Sequence, residues 1–179
     1  MSSLRKGIER VEVGLKWDPS PLGSPPHDLD LVAGTYTAED PHGSPAYLVH
    51  FDSRSPDGTI HLDRDSRTGQ GFGFDEVMSL ELERLSPAYA RVLVGAVVQQ
   101  NEPQDRTLVF GDVANTGVRI RQDYTDLSEH DLSAVAGSPA ATLGEFVRGA
   151  DGEWSFREAI RGFDGDLTTF AAAMGALEL

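Results

Sequence analysis

The chain has 179 residues, a length at which one compact domain buries roughly 70% of the surface that its unfolded form exposes. Its 29 Asp and Glu against 15 Lys and Arg leave a formal net charge of -14, which repels phosphate backbones and anionic lipid, so nucleic acid is not an expected partner. It has no cysteine, which excludes disulfides, thiolate nucleophiles, iron–sulfur ligation and Cys-type zinc sites.

Short runs that alternate with period two, broken by Gly, Pro, Asp and Ser, predict an all-β antiparallel fold. In chain order, strands are expected over 11–17, 29–36, 46–51, 76–82, 91–99, 117–123, 140–148 and 153–162. The Pro- and Gly-rich stretch 19–26 follows only one strand's worth of residues, so it reads as a surface loop and not as a linker. Residues 62–76 mix Asp, Ser, Arg and Gly with few aliphatics, and 86–90 reads as a tight connection or a single helical turn between strands. The last two strands make a hairpin around Gly149-Ala150-Asp151-Gly152, with Leu143, Phe146, Trp154 and Phe156 as bulky side chains for a sheet to bury. A single helix is predicted over 166–177, where Leu167, Phe170, Met174 and Leu177 recur at helical spacing behind Asp164 or Asp166 as cap. Residues 1–179 thus read as one domain, an antiparallel β-sandwich with a C-terminal helix lying against a sheet. No stretch approaches the ~18 apolar residues of a membrane span and the start carries no apolar leader core, so no transmembrane segment and a cytoplasmic location are expected.

The chemistry concentrates in Asp57-Gly58, Asp63, Asp65, Ser66, Gly69, Gly71, Gly73, Asp75 and Glu76. Ca²⁺ takes six to eight oxygen ligands, and glycines let a loop turn its carbonyls and carboxylates back on an ion. The plain alternative is a solvated acidic loop. Asp28-Leu29-Asp30-Leu31 favours the ion: in a strand, Asp28 and Asp30 share one face while Leu29 and Leu31 enter the core. Asp18, after Trp17, could join them from a neighbouring strand. An EF-hand beginning at Asp65 and ending at Glu76 fails, because Arg67, Gly69 and Gln70 occupy the places of two acidic ligands and the obligatory Gly. Enzymatic signatures are absent: no Gly-x-Ser-x-Gly elbow, no Walker loop, no His-Glu-x-x-His, and no ligand spacing among His27, His42, His50, His61 and His130.

Taken in order, Gly14-Leu15-Lys16-Trp17-Asp18, Asp28-Leu29-Asp30, Ser55-Pro56-Asp57-Gly58, the run from Asp65 to Glu76, and Gly152-Glu153-Trp154-Ser155-Phe156 resemble the tellurium-resistance TerD family over nearly the whole chain. The resemblance implies a C2-like β-sandwich that binds Ca²⁺ at one end and serves bacterial tellurite resistance, stress response or phage defence. It marks Asp28, Asp30, Asp65, Asp75 and Glu76 as metal ligands, Ser66 in place of a common Asn, and Gly69 and Gly71 as the residues that shape the loop. The family's loop alternates glycine with acidic residues, whereas this chain has Gln70, Phe72 and Phe74 at three of those acidic places. Fewer carboxylates leave one ion, a weaker site or none. Phe72 and Phe74 then either cover part of the site or offer an apolar contact to a partner.

Two functions follow. The first is a non-enzymatic calcium-binding module of a bacterial tellurium-resistance and stress-response system, with other stress-response or membrane-associated proteins as partners. The second is a metal-free interaction scaffold of the same fold with a decayed calcium site. Direct reduction of tellurite by protein thiols is ruled out by the lack of cysteine.

Overall fold

Period-two alternation is clearest in Arg10–Lys16, where Val11, Val13 and Leu15 are buried and Arg10, Glu12 and Lys16 are exposed. The structure, a computed structural model, describes residues 5–70, 73–100 and 107–176. Its strands are β1 (Arg5–Ile8), β2 (Arg10–Lys16), β3 (Leu29–Thr37), β4 (Tyr47–Val49), β5 (Ile60–Arg64), β6 (Glu76–Glu81), β7 (Tyr89–Val98), β8 (Gly117–Gln122), β9 (Thr125–His130), β10 (Ala140–Arg148) and β11 (Trp154–Phe163). They form two antiparallel sheets, one ordered β1-β11-β10-β7-β3-β4 and the other β5-β6-β2-β8-β9. Between them Val13, Leu15, Met78, Leu80 and Ile120 of the five-stranded sheet meet Leu29, Leu31, Val94, Phe146 and Phe156 of the six-stranded sheet. Each such side chain contributes about 1.5–3 kcal/mol relative to exposure, which makes this interlayer the main source of stability.

A second apolar cluster lies on the outer face of the six-stranded sheet. The helix α1 (Leu167–Ala173), capped by the Asp166 carboxylate on the Thr169 N–H at 2.8 Å, sets Phe170, Ala171 and the following Met174 over Val32, Tyr36, Leu93 and Val97. β3 is therefore covered on both faces, and every residue from Leu29 to Tyr36 is buried, Asp30 and Thr35 included. Arg91, itself buried, pins this layer from below: it pairs with Glu145 at 2.8 Å and donates from Nη1 to the carbonyls of Pro41 at 2.7 Å and Gly175 at 2.8 Å.

The two-sheet fold, the Gly149–Gly152 hairpin and the C-terminal helix stand as read from the sequence. The helix is shorter than expected, ending at Ala173 and tightening into a 3₁₀ turn over Met174–Ala176, while Leu177 lies outside the described residues. β1, β5 and β9 escaped the sequence reading. All three are edge strands, and an edge strand of four to six residues buries too few side chains to print an alternation. The strand expected over 46–51 shrinks to the three residues of β4, which pairs only with Ala33–Thr35 of β3. That shortness leaves the start of β3 uncovered. No helix among the described residues is long and apolar enough to cross a membrane.

Candidate functional site

Because β4 stops short, the N–H of Leu31 has no strand partner on its open side, and Glu76 Oε2 takes it at 2.6 Å. Glu76 can reach it because the β6 alternation puts Glu76, Met78 and Leu80 on the inward face, so a carboxylate replaces the first apolar residue of the strand. Asp28 and Asp30 point to the same place from the start of β3. One oxygen from each of Asp28, Asp30 and Glu76 lies within 4.8 Å of the others, at the seam where the two sheets meet. Asp65, from the loop after β5, is close enough to raise the Glu76 carboxyl and adds a fourth carboxyl to the neighbourhood.

Burial makes this cluster electrostatically costly. Asp30 and Glu76 are buried and Asp28 is half-buried. The Asp28 carboxyl is pushed up to about 7, first by burial and then by the charges of Asp30 and Asp65, with Arg67 opposing. Glu76 is pushed up to about 12 by burial and then by Asp65 and Asp30, and Asp30 is raised by burial against the Gln99 amide that donates to its Oδ2 at 2.7 Å. Two oxygens, Asp28 Oδ1 and Glu76 Oε1, are buried without a hydrogen-bond partner. Unsatisfied buried acceptors beside like charges are neutralised by protons or by a cation, and a set made of carboxylate oxygens alone suits a hard cation such as Ca²⁺.

The other predicted residues go elsewhere. The Ser66 hydroxyl closes its own loop, accepting from the N–H groups of Gly69 at 3.1 Å and Thr68 at 3.4 Å. Gly69 sits at φ +76°, and a Cβ there would come 2.6 Å from the Trp17 ring and 2.9 Å from its carbonyl, so the loop as built requires glycine. Gly71 and Phe72 lie outside the described residues. Asp75, one residue before Glu76, faces the opposite way: its Oδ2 accepts the Trp17 N–H at 2.8 Å, its own N–H donates to Leu15, and Oδ1 is buried without a partner. Its charged neighbours are Arg64 and Asp18, and burial raises its carboxyl above the ordinary range. Asp18 therefore does not join Asp28 and Asp30; it accepts from Asn115 Nδ2 at 2.6 Å beside Asp75.

Phe74 neither covers the acidic cluster nor stands free. Its half-buried ring lies over Gly14 on the outer face of β2, where a Cβ would come 2.7 Å from it, with the Arg119 guanidinium 4.4 Å and the Lys16 ammonium 5.7 Å from the ring centre. The sequence reading missed Gln99 and the structural part of Trp17. Gln99 comes opposite Asp28 only through the β3–β7 pairing, and Trp17 Nε1 donates to the His27 carbonyl at 2.9 Å, tying the Pro-rich loop down just before Asp28.

With this geometry in hand, the TerD domain model matches residues 1–173. The chain is 29% identical to the tellurium resistance protein TerD of Serratia marcescens, covering 98% of this chain and 92% of that protein. It is 27% identical to general stress protein 16U of Bacillus subtilis over the same shares. Among solved structures, a homologue of the telluride resistance protein from Streptomyces coelicolor, SCO6318, superposes with TM-score 0.90 at 55% identity, covering 94% of this chain and 98% of that one. A protein described as of unknown function, SAV2460, superposes with TM-score 0.93 at 57% identity, covering 97% and 100%.

Proposed function

Since the chain belongs to the TerD domain family, we propose that it is a non-enzymatic calcium-binding module of a bacterial tellurium-resistance and stress-response system. Asp28, Asp30, Asp65 and Glu76 supply the carboxylate oxygens, and the ion replaces the protons that otherwise neutralise them. The observation that carries the reading is the pair of orphaned oxygens, Asp28 Oδ1 and Glu76 Oε1, buried among like charges at an end of the sandwich formed by loops and strand starts. Nothing in this chemistry calls for turnover of a substrate. The module acts through binding, with stress-response or membrane-associated proteins as partners, and with no thiol it reduces no tellurite itself.

Calorimetric titration of chelator-treated protein with Ca²⁺ in two buffers of different ionisation enthalpy tests this. Because Glu76 holds its proton at neutral pH and Asp28 does so in part, Ca²⁺ entry should release protons, and the observed heat should change with the buffer. At a Ca²⁺ concentration 100 times its Kd the protein should gain about 2.7 kcal/mol of stability. Absence of heat and of any melting shift at millimolar Ca²⁺ removes the ion. The second reading, a metal-free scaffold, rests on Gln70, Phe72 and Phe74 standing in the sequence where the resemblance expects acidic residues, and on a Glu76 carboxyl that keeps its proton. It predicts full stability in chelator and no metal in the protein as purified.

A further inference from the structure

The segment that follows β4 folds back over β5 and leaves a cleft of about 430 Å³, in the lower part of the range for small-molecule sites. Its floor is apolar, built by Val49 and Ile60, both almost fully buried, and by the half-buried Leu62. Phe51 stands at the lip with 44% of its surface exposed, one of few large apolar side chains left in solvent among the described residues. Beside one carboxylate, Asp65, the rim carries Arg54, His50 and His61, a basic grouping on a chain of net charge -14. The Arg54 guanidinium has no acidic partner among the described residues. His50 accepts the Asp52 N–H at Nδ1, 3.1 Å away, so its neutral ring carries the proton on Nε2. Burial lowers the His50 pKa, against the opposing charge of Asp52, and so favours that neutral form.

We propose that this cleft binds a small free amphiphilic anion, with its short apolar body on Val49, Ile60 and Phe51 and its carboxylate or phosphate head on Arg54, assisted by His50. Charge complementarity selects this occupant. A neutral apolar ligand leaves the guanidinium unused, and a cation meets it directly. Arg–carboxylate pairs are charge-assisted and often bidentate, so the head group supplies orientation as well as affinity. Asp65 also lines the cleft and keeps the anionic head on the Arg54 side. A lipid surface is disfavoured as the source of the head group by the repulsion between the chain's net negative charge and an anionic membrane. The inference does not rest on the cation reading, and its test is run in EDTA so that the two fail separately.

The probes are octanoate and 1-octanol, titrated into isotopically labelled protein and followed by amide shifts. Octanoate should bind saturably in the millimolar range and move the amides of Ile60–Leu62, with 1-octanol weaker by about tenfold. Arg54→Glu, an exposed change that leaves the core intact, should weaken octanoate by about tenfold or more and leave 1-octanol unchanged. Phe51→Ala should weaken both. No saturable shift with octanoate, or an unchanged octanoate affinity in Arg54→Glu, overturns the proposal. Cosedimentation with phosphatidylglycerol vesicles that Arg54→Glu abolishes overturns it in favour of a membrane head group.

Discussion

Replacing Glu76 by Gln should stabilise the metal-free protein, the reverse of the usual result for a buried polar site. The Glu76 carboxyl, fully buried and pushed up to about 12, keeps its proton at pH 7, whereas the unfolded chain, at the ordinary 4.5, gives it up. A raised acidic pKa contributes stability that is present below 4.5 and is lost as the pH rises above it. At pH 7 the loss spans 7 minus 4.5, at about 1.4 kcal/mol per pH unit, a ceiling of about 3–4 kcal/mol. Relaxation of the site and water entry bring the expected gain from Glu76→Gln to about 1–2 kcal/mol. The amide keeps the shape: its oxygen still accepts the Leu31 N–H, and its NH₂ takes the place of the orphaned Oε1, beside Asp30 and Asp65, which accept. Urea unfolding in EDTA at pH 7 and pH 5 is the assay. At pH 5 only half a pH unit remains, so the advantage should fall below about 1 kcal/mol. In Ca²⁺ the order should reverse, because the parent gains by mass action and the variant has lost a ligand. A variant less stable than its parent in EDTA at pH 7 refutes the buried, protonated carboxyl, and an equal calcium gain in both proteins refutes Glu76 as a ligand.

Further outcomes follow from other parts of the molecule. Asp28, half-buried and pushed up to about 7 from 3.8, should make the stability of the chelator-treated protein fall between about pH 4 and pH 7, by ~1–2 kcal/mol after solvent screening is allowed for; urea midpoints at pH 5 and pH 8 read this, and added Ca²⁺ should flatten the slope. Gly69→Ala should cost about 2 kcal/mol or more, from left-handed backbone plus collision with Trp17, whereas Gly58→Ala, at φ +75° with open space around it, should cost about 1 kcal/mol; equal melting shifts would show that the Trp17 contact is unimportant. Arg91→Met leaves Glu145 buried with only Arg157 as partner and should cost about 3–5 kcal/mol, while the double change Arg91→Met with Glu145→Met should recover a large part of that loss in a double-mutant cycle.

Much of the site was legible because strand parity is rigid. Alternation put Asp28 and Asp30 on one face, and it does so in the structure. The same rule, applied one strand further, separates Asp75 from Glu76: Met78 and Leu80 fix the inward face, and Glu76 shares their parity while Asp75 does not. What stayed hidden depends on which strands become neighbours. Gln99 reaches Asp30 through the β3–β7 pairing, and the Leu31 N–H is open only because β4 is three residues long, facts of assembly that no local window contains. Phe74 misled for a related reason. Its alternation with glycines resembles a loop motif, yet its ring fills the space that Gly14 leaves on an adjacent strand.

Trp17 touches three parts of this region at once. Its indole covers Gly69, its Nε1 bonds the carbonyl of His27 next to Asp28, and its backbone N–H bonds Asp75. The only other tryptophan, Trp154, lies in β11 under the Arg148 guanidinium, 4.7 Å from its ring centre. The chain thus carries a native fluorophore at the acidic end and an internal reference elsewhere. Emission from Trp17 can follow any rearrangement of the Pro-rich and glycine loops during a titration without label or tag, and Trp17→Phe subtracts that signal to leave the Trp154 baseline.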